Sequence, residues 1–183
     1  EKGDIEKAIT SYQKALQLKS NYFEAQMNLG NAFKEQGHLE KGIQSYKNAL
    51  HINPNYSEAR WNLALAQLLC GDYHSGWKNY QSRWKRKKVV IPHAIPKTEE
   101  WKGERLHPEE DLIIVSEQGL GDTLQYMRYI LYLKKKGMRI SFCAQTKLHN
   151  LIKSSGIDSD PLTPKETNNI TSGKWIPLLS LPK

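Results

Sequence analysis

Cysteine is scarce in this 183-residue chain, with only Cys70 and Cys143 present. They lie far apart, with no CxxC pair and no Cys/His cluster, which argues against a disulfide scaffold and against a zinc site. Two such thiols read as reduced core residues of a cytoplasmic protein. Long apolar runs are missing as well: none approaches the ~18 residues that a membrane-spanning helix requires. Aromatic stacking platforms and known nucleic-acid motifs are also missing. That absence decides how the net charge of +8 is read. Arg83, Lys85, Arg86, Lys87 and Lys88 end a helix and begin a solvated segment, while Lys134, Lys135 and Lys136 close another helix before Gly137. Cations there complement the helix dipole, so nucleic acid is not the expected partner. What remains, 38% hydrophobic and 25% charged residues, is enough for a core and excludes disorder.

What is present first is a period. Tyr12, Tyr46 and Tyr80 recur every 34 residues. Small residues recur beside them: Ala8, Gly42 and Gly76 in one register, Gly30 and Ala64 in another. Small residues let two helices approach, and the tyrosines fill the gap beside the crossing. Pro54 ends a helix, and Ser20 takes its place one unit earlier. This pattern resembles the tetratricopeptide repeat, a helical hairpin, over residues 1–84 and for about two and a half units. Repeat arrays bind peptides or proteins in a concave groove. Asn28, Asn31 and Asn62 fall on the inner-helix surface and are the candidates for binding a partner's backbone. Because the chain opens in the middle of a unit, at Glu1-Lys2-Gly3-Asp4, it is expected to be a fragment. The last unit carries Trp77 and Trp84 and is expected to form a capping helix.

From residue 85 to residue 108 periodicity vanishes and Pro92, Pro96 and Pro108 appear, the signature of a linker. Trp101-Lys102-Gly103-Glu104-Arg105-Leu106 lies in it, and Trp101 is expected to plug an apolar pit. Residues 109–183 change character. Leu112 to Val115 reads as a strand buried on both faces, and Thr123 to Leu133 as a helix with Leu124, Met127, Ile130 and Leu131 on one side. Met138 to Cys143 offers a second strand, Leu148 to Ile152 a short helix, and Trp175 to Leu181 a further strand and turn. The expected fold class is therefore α + α/β, with helical hairpins followed by a partial Rossmann-like domain of two or three parallel strands, truncated at its C-terminus.

The turn from Ser116 to Asp122 joins the first strand to the helix, a place where ligands bind in such folds. Gly119-Leu120-Gly121-Asp122-Thr123-Leu124 departs from G-x-G-x-x-G at Leu124, no acid follows the second strand, and no Gly-Lys-Ser/Thr is present. Both standard nucleotide fingerprints fail, and neither a cofactor nor a metal is expected. Asp122 has two readings: an N-cap accepting from Leu124 or Gln125, or a general base aimed into a crevice.

Residues 116–129, Ser-Glu-Gln-Gly-Leu-Gly-Asp-Thr-Leu-Gln-Tyr-Met-Arg-Tyr, resemble a motif of bacterial glycosyltransferases that follow tetratricopeptide repeats. Those enzymes are similar to heptosyltransferases and, more distantly, to O-linked N-acetylglucosamine transferases. The Trp101/Gly103/Leu106 string, the Gly76-Trp77 and Arg83-Trp84 pairs and Pro177 to Pro182 fit the same pattern. The resemblance implies residues 109–183 to be the N-terminal half of a GT-B domain. It implies Asp122 as catalytic base, Gly119, Leu120 and Gly121 as the loop, and Gln118 and Thr123 as binders of sugar or phosphate. It also implies a nucleotide-sugar donor held by a C-terminal domain that this chain lacks, so the chain alone is expected to be inactive. The expected function is that of a repeat-containing sugar transferase whose repeats recruit a protein or glycan acceptor. The alternative is a non-catalytic protein-interaction scaffold.

Overall fold

A computed structural model describes residues 2–87 and 89–182. Glu1, of the expected mid-repeat opening, and Lys88, of the basic run, lie outside the described residues, as does Lys183 at the end of the expected half-domain. The chain divides into two compact units, one ending at residue 89 and the other spanning 90–182.

The first unit is helical. Helices α1 (Lys2–Leu18), α2 (Phe23–Glu35), α3 (Leu39–Ile52), α4 (Ser57–Leu69) and α5 (Tyr73–Tyr80) follow one another through short turns. The small-residue positions work by close approach. A methyl group added at Gly30 would lie 2.6 Å from the Tyr46 ring and 3.1 Å from the Gly42 carbonyl. Tyr46 is fully buried in that crossing, and its hydroxyl donates to Asn31 Oδ1 at 2.8 Å. Ala49, Ala59, Ala64 and Ala66 are fully buried as well, and Ala66 packs with Tyr46 and Leu63 in one cluster. Helix α5 begins on a true cap, with Asp72 accepting from the Ser75 amide at 3.1 Å. That bond, the largest cause, holds the Asp72 carboxyl below the usual carboxylate range.

Two expectations for this unit need correction. The closing segment is not one long helix: α5 stops at Tyr80 and tightens into a 3-10 turn over Gln81–Lys85. Its aromatics pack locally, Trp77 against Tyr80 at 5.1 Å and Tyr80 against Trp61 at 4.8 Å. Cys70 is exposed rather than in the core. It occupies the C-cap of α4, next to an exposed Leu69 and past the face that packs.

The second unit is a four-stranded, wholly parallel sheet in the order β1-β4-β2-β3. Its elements are β1 (Glu99–Glu100), β2 (Asp111–Val115), α6 (Leu120–Tyr126), α7 (Arg128–Lys135), β3 (Arg139–Cys143), α8 (His149–Ser154), α9 (Pro164–Thr167) and β4 (Lys174–Pro177). Strand β2 is central, and Leu112 through Val115 are all buried, as expected of a strand covered on both faces. Ile113 and Val115 share one face with Cys143 and Ala94, sealed by Leu162, Ile170 and Trp175. By alternation Leu112 and Ile114 serve the other face.

The sheet has four strands where the sequence offered two or three. The extra one, β1, lies in the proline-bearing segment and pairs Glu99 with Lys174 and Glu100 with Trp175. Trp101 continues this junction by donating its amide to the Trp175 carbonyl at 2.7 Å. Its indole N–H closes a local turn onto the Glu104 carbonyl. The single expected helix is two, breaking at Met127, where the bonding tightens to an i to i+3 pattern. Of the expected apolar stripe only Ile130 is buried, whereas Leu124 and Leu131 are exposed. Among the described residues no helix is long and apolar enough to cross a membrane.

Candidate functional site

The chain runs from β2 outward to β3 and then back to β4 on the other flank of β2. In parallel α/β sheets such a reversal opens a crevice at the carboxyl ends of the strands. The loop after β2, residues 116–119, lies at that edge. Ser116 and Glu117 are fully buried, and Glu117 Oε1 accepts the Leu179 amide at 3.0 Å. Gln118 has φ of 63°, the only non-glycine residue in the left-handed region among those described. That conformation costs on the order of 1–3 kcal/mol and persists only where surrounding contacts over-determine it.

Those contacts come from the end of β3. Gln145 Nε2 donates to the Gln118 carbonyl at 3.3 Å, and Gln145 Oε1 receives the buried Thr123 hydroxyl at 2.9 Å. Thr123 Oγ1 also lies 3.3 Å from the Gly119 carbonyl. One amide side chain thus ties the β2 loop, α6 and the end of β3 together.

Helix α6 starts earlier than Thr123. Gly119 is its N-cap residue, and Asp122 sits three positions inside the helix. Asp122 Oδ2 therefore reaches back to accept the Gly119 amide at 3.2 Å, instead of capping forward onto Leu124 or Gln125. This is the reverse arm of a capping box. Asp122 Oδ1 makes no hydrogen bond among the described residues.

A cavity of about 530 Å³ opens at the ends of β2 and β3, lined among others by His93, Gln118, Gly119, Leu120, Gln145 and Lys147. Three of the sequence-predicted residues, Gln118, Gly119 and Leu120, are in its wall; Gly121, Asp122 and Thr123 are not. His93 was not foreseen. It is held by its amide bonding to the Ser116 carbonyl at 3.0 Å, and its Nδ1 lies 2.9 Å from Ser116 Oγ. Gln145 and Lys147 were also missed as site residues. Gln145 could have been found from its place just past the second strand, where ligand contacts arise in this fold class. No spacing in the sequence ties His93 to Ser116.

On the repeat unit, Asn28 and Asn31 line a shallow groove of about 370 Å³ with Tyr12, Asp4 and Glu35. Asn62 is not in that wall: it donates to Asn31 Oδ1 at 3.0 Å, which also takes the Tyr46 hydroxyl. Asn31 and Asn62 thus bond to each other within the array. No cluster of three or more His, Cys, Asp or Glu able to hold a metal occurs among the described residues.

The family model for the TPR repeat matches residues 1–37 and 30–71, so these helical hairpins are tetratricopeptide repeats. Such repeats generally mediate protein interactions. No curated protein matches the chain. Among solved structures the chain is similar to an O-GlcNAc transferase mutant of Thermobaculum terrenum, at 12% identity and a TM-score of 0.44. The match covers 84% of this chain and 37% of that one, so the chain spans little more than a third of that protein's length.

Proposed function

We propose that this chain is the repeat-bearing, acceptor-side part of a sugar transferase of the GT-B type. The observation that carries the proposal is the loop after β2. A parallel strand ends in a buried Ser116-Glu117 pair, a left-handed Gln118 and a Gly-Leu-Gly-Asp turn beside an open cavity. The chemistry is a displacement. An acceptor hydroxyl attacks the anomeric carbon of a nucleotide-activated sugar, its proton passes to Asp122 Oδ1, and the bond to the nucleoside diphosphate breaks. The donor is held by a further domain of the complete protein, and the tetratricopeptide repeats recruit a protein or glycan acceptor in the cytoplasm.

The test uses the complete protein, a panel of nucleotide sugars and the variant Asp122→Asn. Asparagine keeps an oxygen for the Gly119 amide, so α6 and acceptor binding survive while the base is lost. The expected fall in kcat is about 10²–10⁴-fold, the usual worth of general base catalysis. Unchanged transfer would make Asp122 a structural cap. Absence of transfer by the unaltered protein with every nucleotide sugar would instead favour the second reading, a non-catalytic interaction scaffold, which already draws on the Asp122–Gly119 bond and on Asp122's absence from the cavity wall.

A further inference from the structure

The repeat unit contains a second cavity, of about 440 Å³, at the junction of the α3–α4 turn with α5 and the 3-10 turn that follows it. Its walls include Ser57, Arg60, Lys78, Ser82 and Lys85, and no carboxylate lines it. Three cations converge without a counter-charge. Lys78 and Lys85 form no ion pair among the described residues. Arg60 uses one nitrogen, Nη2, on the Pro54 carbonyl at 2.7 Å, leaving further donors of its guanidinium. The nearby carboxylate Glu58 is already committed to Arg86, at 3.0 Å.

Two features add to the charge. Helix α4, thirteen residues long, opens at this wall, and its N-cap residue Tyr56 supplies no side-chain acceptor for the first-turn amides. The unsatisfied amides and the positive dipole end favour an anion. Ser82 is only 5% exposed, and its hydroxyl has no hydrogen-bond partner among the described residues. A buried hydroxyl without a partner carries a desolvation cost that a ligand oxygen would remove.

We propose that this cavity is a binding site for a phosphate-bearing small molecule, separate from the cavity at the strand ends. A phosphate group offers several terminal oxygens at once, enough for two ammonium groups, a guanidinium and a hydroxyl. A single carboxylate would leave most of these donors unused. The volume exceeds that of orthophosphate and falls in the range of sites for small organic ligands, so the phosphate is one end of a larger molecule.

The test is titration of the 183-residue chain with inorganic pyrophosphate, followed by calorimetry and by amide shifts in nitrogen-15 spectra. Saturable binding is expected, with the largest shifts at Ser57, Arg60 and Ser82. Lys78→Gln with Lys85→Gln should weaken it by about 10- to 100-fold, one charge-assisted bond being worth roughly tenfold. Ser82→Ala, a small change that preserves the helical turn, should weaken it several-fold. The control is Lys134→Gln with Lys135→Gln, which removes the same charge elsewhere and should leave affinity unchanged. If the control pair weakens binding as much, or shifts spread over all basic surfaces, the attraction is only that of a basic chain and the site does not exist. Binding of an acidic peptide without any binding of pyrophosphate would also overturn the proposal. Its outcome is independent of whether Asp122 proves to be a catalytic base.

Discussion

Replacing Gly173 with alanine should loosen β4 more than any other single methyl addition to the second unit. Gly173 has φ of +79° and immediately precedes Lys174, the first residue of β4. An added Cβ would lie 2.5 Å from the Asp111 carbonyl oxygen and 3.3 Å from Ile113 Cδ1. Two costs combine. The left-handed conformation costs an L-residue about 1–2 kcal/mol, and overpacking a tight contact costs about 1–3 kcal/mol. The Asp111 oxygen belongs to the backbone of central strand β2, so it cannot swing aside as a flexible side chain would. A total of about 2–5 kcal/mol corresponds to roughly 30- to 3000-fold at a tenfold per 1.4 kcal/mol. Amide hydrogen exchange of the whole chain is the assay, read at Lys174, Trp175 and Ile176 and at Trp101, whose amide bonds to Trp175. Gly137→Ala separates the two costs. Gly137 has φ of +83° but nothing within 4 Å of an added Cβ, so it should show the conformational cost alone. If Gly173→Ala accelerates exchange no more than Gly137→Ala, the contact with Asp111 does not restrain β4 and the reasoning fails.

Two further outcomes are expected. Burial, helped by the nearby Glu35 carboxylate, pushes the Tyr46 hydroxyl up to about 12 from 10.0. The folded state therefore holds that proton more tightly than the unfolded state, so the associated stability is complete below pH 10 and is lost as pH rises toward 12. Urea unfolding of the repeats over that range should show this loss in the native chain and less of it in Tyr46→Phe. At neutral pH the same variant should cost about 1 kcal/mol, the usual worth of one hydrogen bond; equal pH slopes in the two proteins would refute the assignment. For the thiols, Cys70 is exposed, whereas burial pushes Cys143 up to about 11. A thiol reagent should modify one cysteine in the native chain and the second only on unfolding; rapid modification of both would contradict the packing around β3.

The sequence was most legible where structure is local. The repeats declare themselves because each helix crossing needs a small residue beside a large one, and Gly30, Gly42 and Tyr46 satisfy that need within a short stretch of chain. Strand β2 is legible for a related reason, since burial on both faces leaves only apolar residues from Leu112 to Val115. Strand β1 has no such signal. It consists of two glutamates, and it is a strand only because β4, much later in the chain, offers a free edge beside them. The helix break at Met127 is hidden because leucine and isoleucine at helical spacing read as one apolar helix face, although Leu124 and Leu131 meet solvent.

The candidate site divides along the same line. The Gly-Leu-Gly-Asp turn could be found in the chain, but its geometry depends on Gln145 from the end of β3 and on His93 from the segment before β2. Neither is at a fixed offset from the turn. The left-handed backbone of Gln118 could not be anticipated either, because glutamine carries no preference for it. Asp122 is where local and distant information meet. As a cap it uses Oδ2, bound to the Gly119 amide, and as a base it would use Oδ1, which has no partner among the described residues. The two roles are therefore compatible, and the cap bond would fix the orientation of the carboxylate. An isosteric change that removes the charge, Asp122→Asn, discriminates because it removes one role and retains the other; Asp122→Ala would remove both and could not tell a lost base from a frayed helix.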